Sequence, residues 1–252
     1  MSESRHPSHV RLGLFVFLAL AALSLVEFAL ALFLNIWQLI TLVAIAKAGL
    51  VIYFYMHIYR LFQPDENTDV ESFSYKLVSN RIGLWLFLLS DFFIFGGLLL
   101  SRINLLGLTR PDLDQYLGLA VSVILLISSV FAYLGETYIE LGNRKRFLFC
   151  YAITIALGIL FLIGVVGVEW RTAPFGPADS VVGAVFYIMT GFHAFHVFTG
   201  VIFLFIVFRN GRRGLYSVEK HWAVEASAVY WHFIDVVWFL FYPALYLIGK
   251  VV

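Results

Sequence analysis

Seven apolar runs divide this chain, each of about 20 residues or more and so long enough to cross a hydrocarbon core of roughly 30 Å. They lie at about 12–34, 37–60, 82–101, 116–138, 147–168, 181–208 and 225–249. In lipid a backbone cannot leave its N–H and C=O groups unpaired, so runs of this length fold as helices. The expected fold class is all-α, a polytopic membrane bundle of seven transmembrane helices. Composition points the same way: the chain is 62% hydrophobic and only 13% charged, where a soluble domain is about half apolar and about a quarter charged. A formal net charge of +1 gives no sign of a nucleic-acid partner. The single cysteine, Cys150, excludes an internal disulfide and a cysteine-cluster metal site. The opening MSESRHPSHVR carries an acid and histidines, and no small-residue cleavage site follows it. The first run is therefore expected to be a retained helix and not a signal peptide.

Orientation follows from the loops. An N-terminus inside places Arg5, Arg11, Arg60, Lys76, Arg81, Arg144, Lys145, Arg146, Arg209, Arg212, Arg213 and Lys220 on the cytoplasmic side. Only Arg102, Arg110, Arg171 and Lys250 fall on the other. This bias predicts a cytoplasmic N-terminus and, with an odd number of spans, a C-terminus outside. Gln63 to Asn80 is the one long polar stretch; it holds Pro64, four acids (Asp65, Glu66, Asp69, Glu71) and several serines. It reads as a solvated linker between a hairpin, residues 1–62, and a five-helix domain, residues 81–252.

Charges inside the runs are the candidate functional residues, because ionisable groups at membrane depth are costly and face protein or water. Glu27 and Lys47 lie about 12 Å and 18 Å from the hairpin turn at 1.5 Å per residue, an offset a lysine stem can bridge. They read as a neutralising ion pair, with a proton or ion relay as the other reading. Asp91 stands near the middle of the third run. Glu136 and Glu140 sit beside Arg144 to Arg146 and read as an interfacial charge cluster; Arg144, Arg146 and Arg209 are candidates for lipid headgroups.

The last run carries three ionisable groups. At 100° per residue, His232 lies about 20° behind Glu225 and Asp235 about 80° behind it, so the three share one side of a helix. His193 and His196 are three residues apart on the preceding helix. Two readings follow for this set of His193, His196, Glu225, His232 and Asp235. A three-histidine metal site is geometrically possible. A buried cluster in which the histidines bond the acids and each other needs no further ligands, and it is preferred. Haem ligation needs histidines on facing helices at matching depth, commonly as pairs, and these histidines do not make that pattern.

The wording of several runs is also informative. EASAVYWHFIDVVWFLFY, from Glu225 to Tyr242, and GFHAFHVFTGVIFLF, from Gly191 to Phe205, resemble the last two helices of cytochrome c oxidase subunit III. The phrase from Glu169-Trp170 through ADSV-G to TGFH-xx-H resembles the same family, and the resemblance extends over residues 80–250. In NRIGLWLFLLSDFFIFGGLLLSR the Ser90-Asp91 pair stands where the family has a serine followed by glutamate. LSLVEFAL with LITLVAIAKAGLVIYFYMHIYRL, over residues 10–62, resembles the small subunit IV of bacterial cytochrome c oxidases.

The resemblance implies a non-redox accessory subunit III of a proton-pumping haem-copper oxidase, fused to a subunit IV-like hairpin. It implies no cofactor in this chain, haem and copper in partner subunits, catalytic subunit I and subunit II as partners, and bound phospholipid. It implies a bacterial plasma membrane, and for Asp91 a role in supporting proton uptake. Two alternatives remain: a subunit III-like accessory protein of a nitric oxide reductase, and an independent transporter. The second fits less well, because no internal repeat is visible and Pro243 is the only proline inside a run.

Overall fold

The structure is a computed structural model that describes residues 6–34, 36–59 and 73–251, with side chains from Val10 and Leu77 onward in the first and third stretches. Seven of its helices are long and apolar enough to cross a membrane. Helix α1 is His6–Phe33 and α2 is Trp37–Leu50, continued by a wider, π-helical turn at Val51–Tyr55. Helix α3 is Phe73–Leu106, α4 Gln115–Glu140, and α5 Arg144–Leu162, prolonged through Ile163–Glu169 to Thr172. Helix α6 is Val181–Arg212, and α7 is Trp222–Tyr242, prolonged by Pro243–Leu247. A two-residue strand β1, Thr109–Arg110, pairs in parallel with β2, Lys250–Val251.

The helices begin where the local chemistry caps them. Asp114 accepts from the N–H groups of Tyr116 and Leu117, Asn143 from that of Arg146, and Ser180 from that of Gly183, which satisfies donors a first turn would otherwise orphan. At Pro243 the helix loses one N–H and widens into a π-helical turn instead of stopping. Helix α2 ends after Tyr55, and His57 takes a left-handed φ of 50°, so the second span stops a little short of the expected residue 60.

The linker boundary needs correction. Residues 63–72 lie outside the described residues, but 73–80 already belong to α3. The polar residues Ser74, Lys76, Ser79 and Asn80 look like loop by composition; they instead extend the helix beyond its apolar run, as other α3, α5 and α6 ends also do.

Helix α7 forms the axis. Nearly all of its side chains are buried, polar and apolar alike, so it is surrounded on every face. Helices α2, α3, α4 and α6 surround it, while α1 packs on α2 and α4, and α5 on α4 and α6. Each tryptophan in its interior finds an α4 serine: Trp231 Nε1 donates to Ser128 Oγ at 3.0 Å and Trp238 Nε1 to Ser122 Oγ at 2.8 Å. Trp231 fits only because Gly158 and Gly200 flank it; a Cβ at these positions would come within 2.5 Å and 3.0 Å of the indole. Small residues at helix contacts are how membrane helices approach closely.

Candidate functional site

The expected acids, histidines and Lys47 within the spans are buried, while Arg144, Arg146 and Arg209 are exposed, and the structure distributes the buried ones over separate contacts. Asp91 lies on α3 at 8% exposure, with Oδ2 3.7 Å from Nε2 of His196 on α6. The other ring nitrogen of His196, Nδ1, lies 2.8 Å from the carbonyl of Phe192. A carbonyl only accepts, so Nδ1 carries the hydrogen, and Nε2 of the neutral ring is left as an acceptor. Nε2 thus points toward the Asp91 carboxyl. At 3.7 Å they approach without a direct hydrogen bond. Phe95 stands edge-on to His196, its centroid 4.7 Å away, and screens the pair on the α3 side. Thr199 Oγ1, one turn along α6, lies 2.9 Å from the hydroxyl of Tyr230 on α7.

The expected single cluster of His193, His196, Glu225, His232 and Asp235 does not form. Glu225 turns to α3, where Arg81 holds it with Nε 2.8 Å from Oε1 and Nη2 3.0 Å from Oε2. This is the two-pronged geometry that suits guanidinium and carboxylate. His232 turns to α4: its Nδ1 is 2.7 Å from Ser129 Oγ, and Asp235 Oδ2 lies 3.6 Å from the same nitrogen. Tyr55 of α2 covers the ring at 5.1 Å between centroids. His193 is fully buried between Trp238 and Phe161, with centroids at 4.9 Å and 5.6 Å, and neither ring nitrogen has a hydrogen-bond partner among the described residues. The three histidines therefore face three different neighbours. Among the described residues no three His, Cys, Asp or Glu side chains gather as metal ligands would.

In the hairpin, Lys47 Nζ donates to Glu27 Oε2, and neither side chain is more than 1% exposed. The ammonium also lies 4.9 Å above the ring of Phe239 on α7, so the pair is closed off by the central helix and joins the hairpin to the rest of the bundle. On the face that carries the α4–α5 and α6–α7 connections, Arg144 donates through Nε to the Gly211 carbonyl at 2.8 Å and through Nη2 to that of Arg212. Arg146 covers the ring of Tyr138 at 5.4 Å. Arg209 lines an open depression of about 430 Å³ with Arg212, Arg213, Phe205 and Phe208.

Two buried contacts were not anticipated from sequence. Arg81 was counted as a loop cation. Tyr246 donates to Glu169 Oε1 at 2.5 Å, and Gln115 Nε2 donates to the Tyr246 carbonyl at 2.9 Å. The available signal was an acid inside an apolar stretch at Glu169, with its partner hidden at the far end of another helix.

Comparison with known proteins now decides the family. The family profile described as cytochrome c oxidase subunit III matches residues 107–250. The chain belongs to that family. The cytochrome c oxidase subunit 3 of Thermostichus vulcanus is 33% identical over 176 residues, which cover 67% of this chain and 87% of the relative. That of Branchiostoma lanceolatum is 35% identical over 190 residues, covering 70% and 72%. That of Rhinoceros unicornis is 33% identical over 183 residues, covering 68% and 70%. The chain is thus an accessory subunit III of a haem-copper oxidase, a multi-pass membrane protein within an oxidoreductase complex. The profile match begins after α3, so neither the hairpin nor Asp91 falls within it.

Proposed function

We propose that this subunit packs against catalytic subunit I and subunit II of the oxidase in a bacterial plasma membrane, with its N-terminus cytoplasmic and its C-terminus outside. Haem and copper reside in those partners. The subunit supports assembly, binds phospholipid and assists proton uptake by the catalytic subunit. Residues 1–62 act as a subunit IV-like addition joined by the polar linker to the subunit III-like body. The distribution of Lys and Arg among the loops supports the orientation. The depression at Arg209, with Phe205 and Phe208 beside three arginines, supports a phospholipid headgroup on the cytoplasmic face, with Arg144 and Arg146 contributing charge nearby.

The observation that carries the proton-uptake reading is the Asp91–His196 pair. It is a buried carboxyl facing an imidazole across two helices. The pair acts on proton supply to the catalytic subunit. Asp91→Asn keeps shape and removes the ionisable oxygen. In the intact complex it is expected to leave haem content unchanged, to lower oxygen consumption mainly at high pH where protons are scarce, and to shorten activity during sustained turnover. Oxygen uptake measured against pH and time checks this. Wild-type profiles in both measurements would reduce Asp91 to a packing residue.

A further inference from the structure

At the end of the bundle that carries the α3–α4 and α5–α6 connections, an open cavity of about 430 Å³ lies between the start of α4 and the end of α5. Asp112, Asp114 and Glu169 line it, and no lysine or arginine is among its lining residues. Arg110 stands near Asp112. The two aspartates are exposed, whereas Glu169 is 2% exposed. Glu169 Oε1 accepts from the Tyr246 hydroxyl, while Oε2 has no hydrogen-bond partner among the described residues.

From Glu169 a run of polar groups continues into the bundle. Tyr246 and Tyr242 lie with ring centroids 5.4 Å apart. Both rings rest on Gly118 of α4, where a Cβ would come within 2.6 Å of the first and 3.2 Å of the second. The Tyr242 hydroxyl also lacks a partner among the described residues, and it lies within electrostatic reach of Glu27. Glu27 gives Oε2 to Lys47 and leaves Oε1 unpaired. Beyond the pair, the ring of Phe239 lies under the Lys47 ammonium. Glu169, Tyr242 and Glu27 each stand within about two turns of the helix ends at Thr172, Leu247 and Phe33, so the three unpaired oxygens occupy matching depth. A buried oxygen without a partner is costly, and an ordered water that finds two or more such groups removes the cost. The open end of this series is a cavity lined by acids, which raises the local concentration of cations, hydronium among them.

We propose that water enters at the acid-lined cavity and forms a hydrogen-bonded file past Glu169, Tyr246 and Tyr242 to Glu27 and Lys47, through which the buried ion pair exchanges protons with this one face of the bundle. The file is separate from Asp91 and His196, which lie on α3 and α6. It joins two parts of the molecule: its mouth belongs to the region that matches the subunit III profile, and its inner end belongs to the hairpin, outside that match. Tyr242 is the positioning residue between them, because its hydroxyl stands between the carboxylates of Glu169 and Glu27.

The test uses the intact oxidase complex under brief X-ray radiolysis, with the hydroxyl-radical products mapped by mass spectrometry. The radicals form from water and mark the side chains beside it. Tyr151 is the reference, because it is fully buried and its hydroxyl is already bonded to Val224 and Ser227. Tyr246, Tyr242 and Phe239 are expected to be marked well above Tyr151. Ala173→Trp fills the cavity from a half-buried lining position and leaves every polar group of the file in place; all three should then fall to the Tyr151 level. Tyr242→Phe should spare Tyr246 and lower Phe239. Transfer to D2O reads the proton: the infrared ring band of Tyr242, identified by its loss in Tyr242→Phe, should shift promptly in the wild type and only after a long delay in Ala173→Trp. Thermal unfolding checks that both variants are folded; should neither assemble, the wild-type comparison with Tyr151 decides. Marking of the three residues no higher than that of Tyr151 would overturn the proposal. So would unchanged marking or exchange in Ala173→Trp, which would show water arriving by another route, or unchanged marking of Phe239 in Tyr242→Phe.

Discussion

Helices α7 and α3 are the two extremes of this molecule. In the apolar window of α7, 89% of residues are buried; in that of α3, 17% are. Both carry an aspartate far from either end, Asp235 and Asp91, at 0% and 8% exposure. Asp235 faces His232 on its own helix, and that ring in turn meets Ser129 on α4 and Tyr55 on α2. Asp91 faces His196 of α6, with Tyr230 of α7 also close by, on a helix whose other faces are largely open. Residue type alone does not separate a structural acid from one that can serve a partner; the surroundings of the helix do. A polar group on a surrounded helix is committed to the fold, while one at an edge remains available to whatever packs there.

The largest effects should come from the groups that bind the hairpin to the axis. Lys47→Ala leaves Glu27 as a buried carboxylate without its cation, a loss of about 3–5 kcal/mol for a fully buried pair. Subunit recovered in the membrane should fall sharply. Changing Glu27 and Lys47 together to leucine and methionine should restore much of it. Additive losses in that double-mutant cycle, read from thermal unfolding in detergent, would show that the two residues act independently.

The second contrast sets core against edge directly. Trp231→Ala removes a fully buried indole that α4, α5 and α6 are shaped around, and should cost about 3–5 kcal/mol. Arg81→Ala, at the α3–α7 contact, should cost less, about 1.5–3 kcal/mol for a hydrogen bond to a charged group, since Arg81 is 21% exposed. If denaturation midpoints place Arg81→Ala below Trp231→Ala, then α3 contributes more to the fold than its exposure indicates.

How far these contacts could be read in the sequence depends on which property each one needs. Seven spans follow from length and polarity, and the Glu27–Lys47 pair follows from depth along a two-helix hairpin, because adjacent antiparallel helices fix both partners. The cluster on the last helix did not follow. Placing Glu225, His232 and Asp235 on one side of α7 assumed a single neighbour on that side. A helix enclosed by four others presents adjacent sectors to different neighbours, so α3 takes Glu225 while α4 takes His232. Arg81 was hidden for a related reason. Polar residues before it read as linker, but α3 begins at Phe73, so the guanidinium sits on a helix at the depth of Glu225. Tyr246 and Glu169 meet only through the relative stagger of α5 and α7, which no local pattern records.

The smallest effect on stability, and the most informative about assembly, should come from the open face of α3. Leu86, Phe93 and Leu100 are 61%, 71% and 62% exposed. They are spaced seven residues apart, so they form one line down the helix. In a bilayer this costs nothing, because acyl chains solvate such side chains as well as protein does. Phe93→Ala should therefore change the unfolding of the isolated subunit by no more than about 0.5 kcal/mol, as for a surface position. If the line faces the catalytic subunit, the same change creates a void in a packed contact, and the subunit should wash off the purified oxidase at lower detergent concentration than wild type. Release measured against detergent concentration separates the two environments. A shift for Phe93→Ala with none for Phe195→Ala, an equally open position on α6 at 60% exposure, places the partner on α3. Identical release for both variants and wild type assigns the face of α3 to lipid, and leaves Asp91 at an edge that no subunit covers.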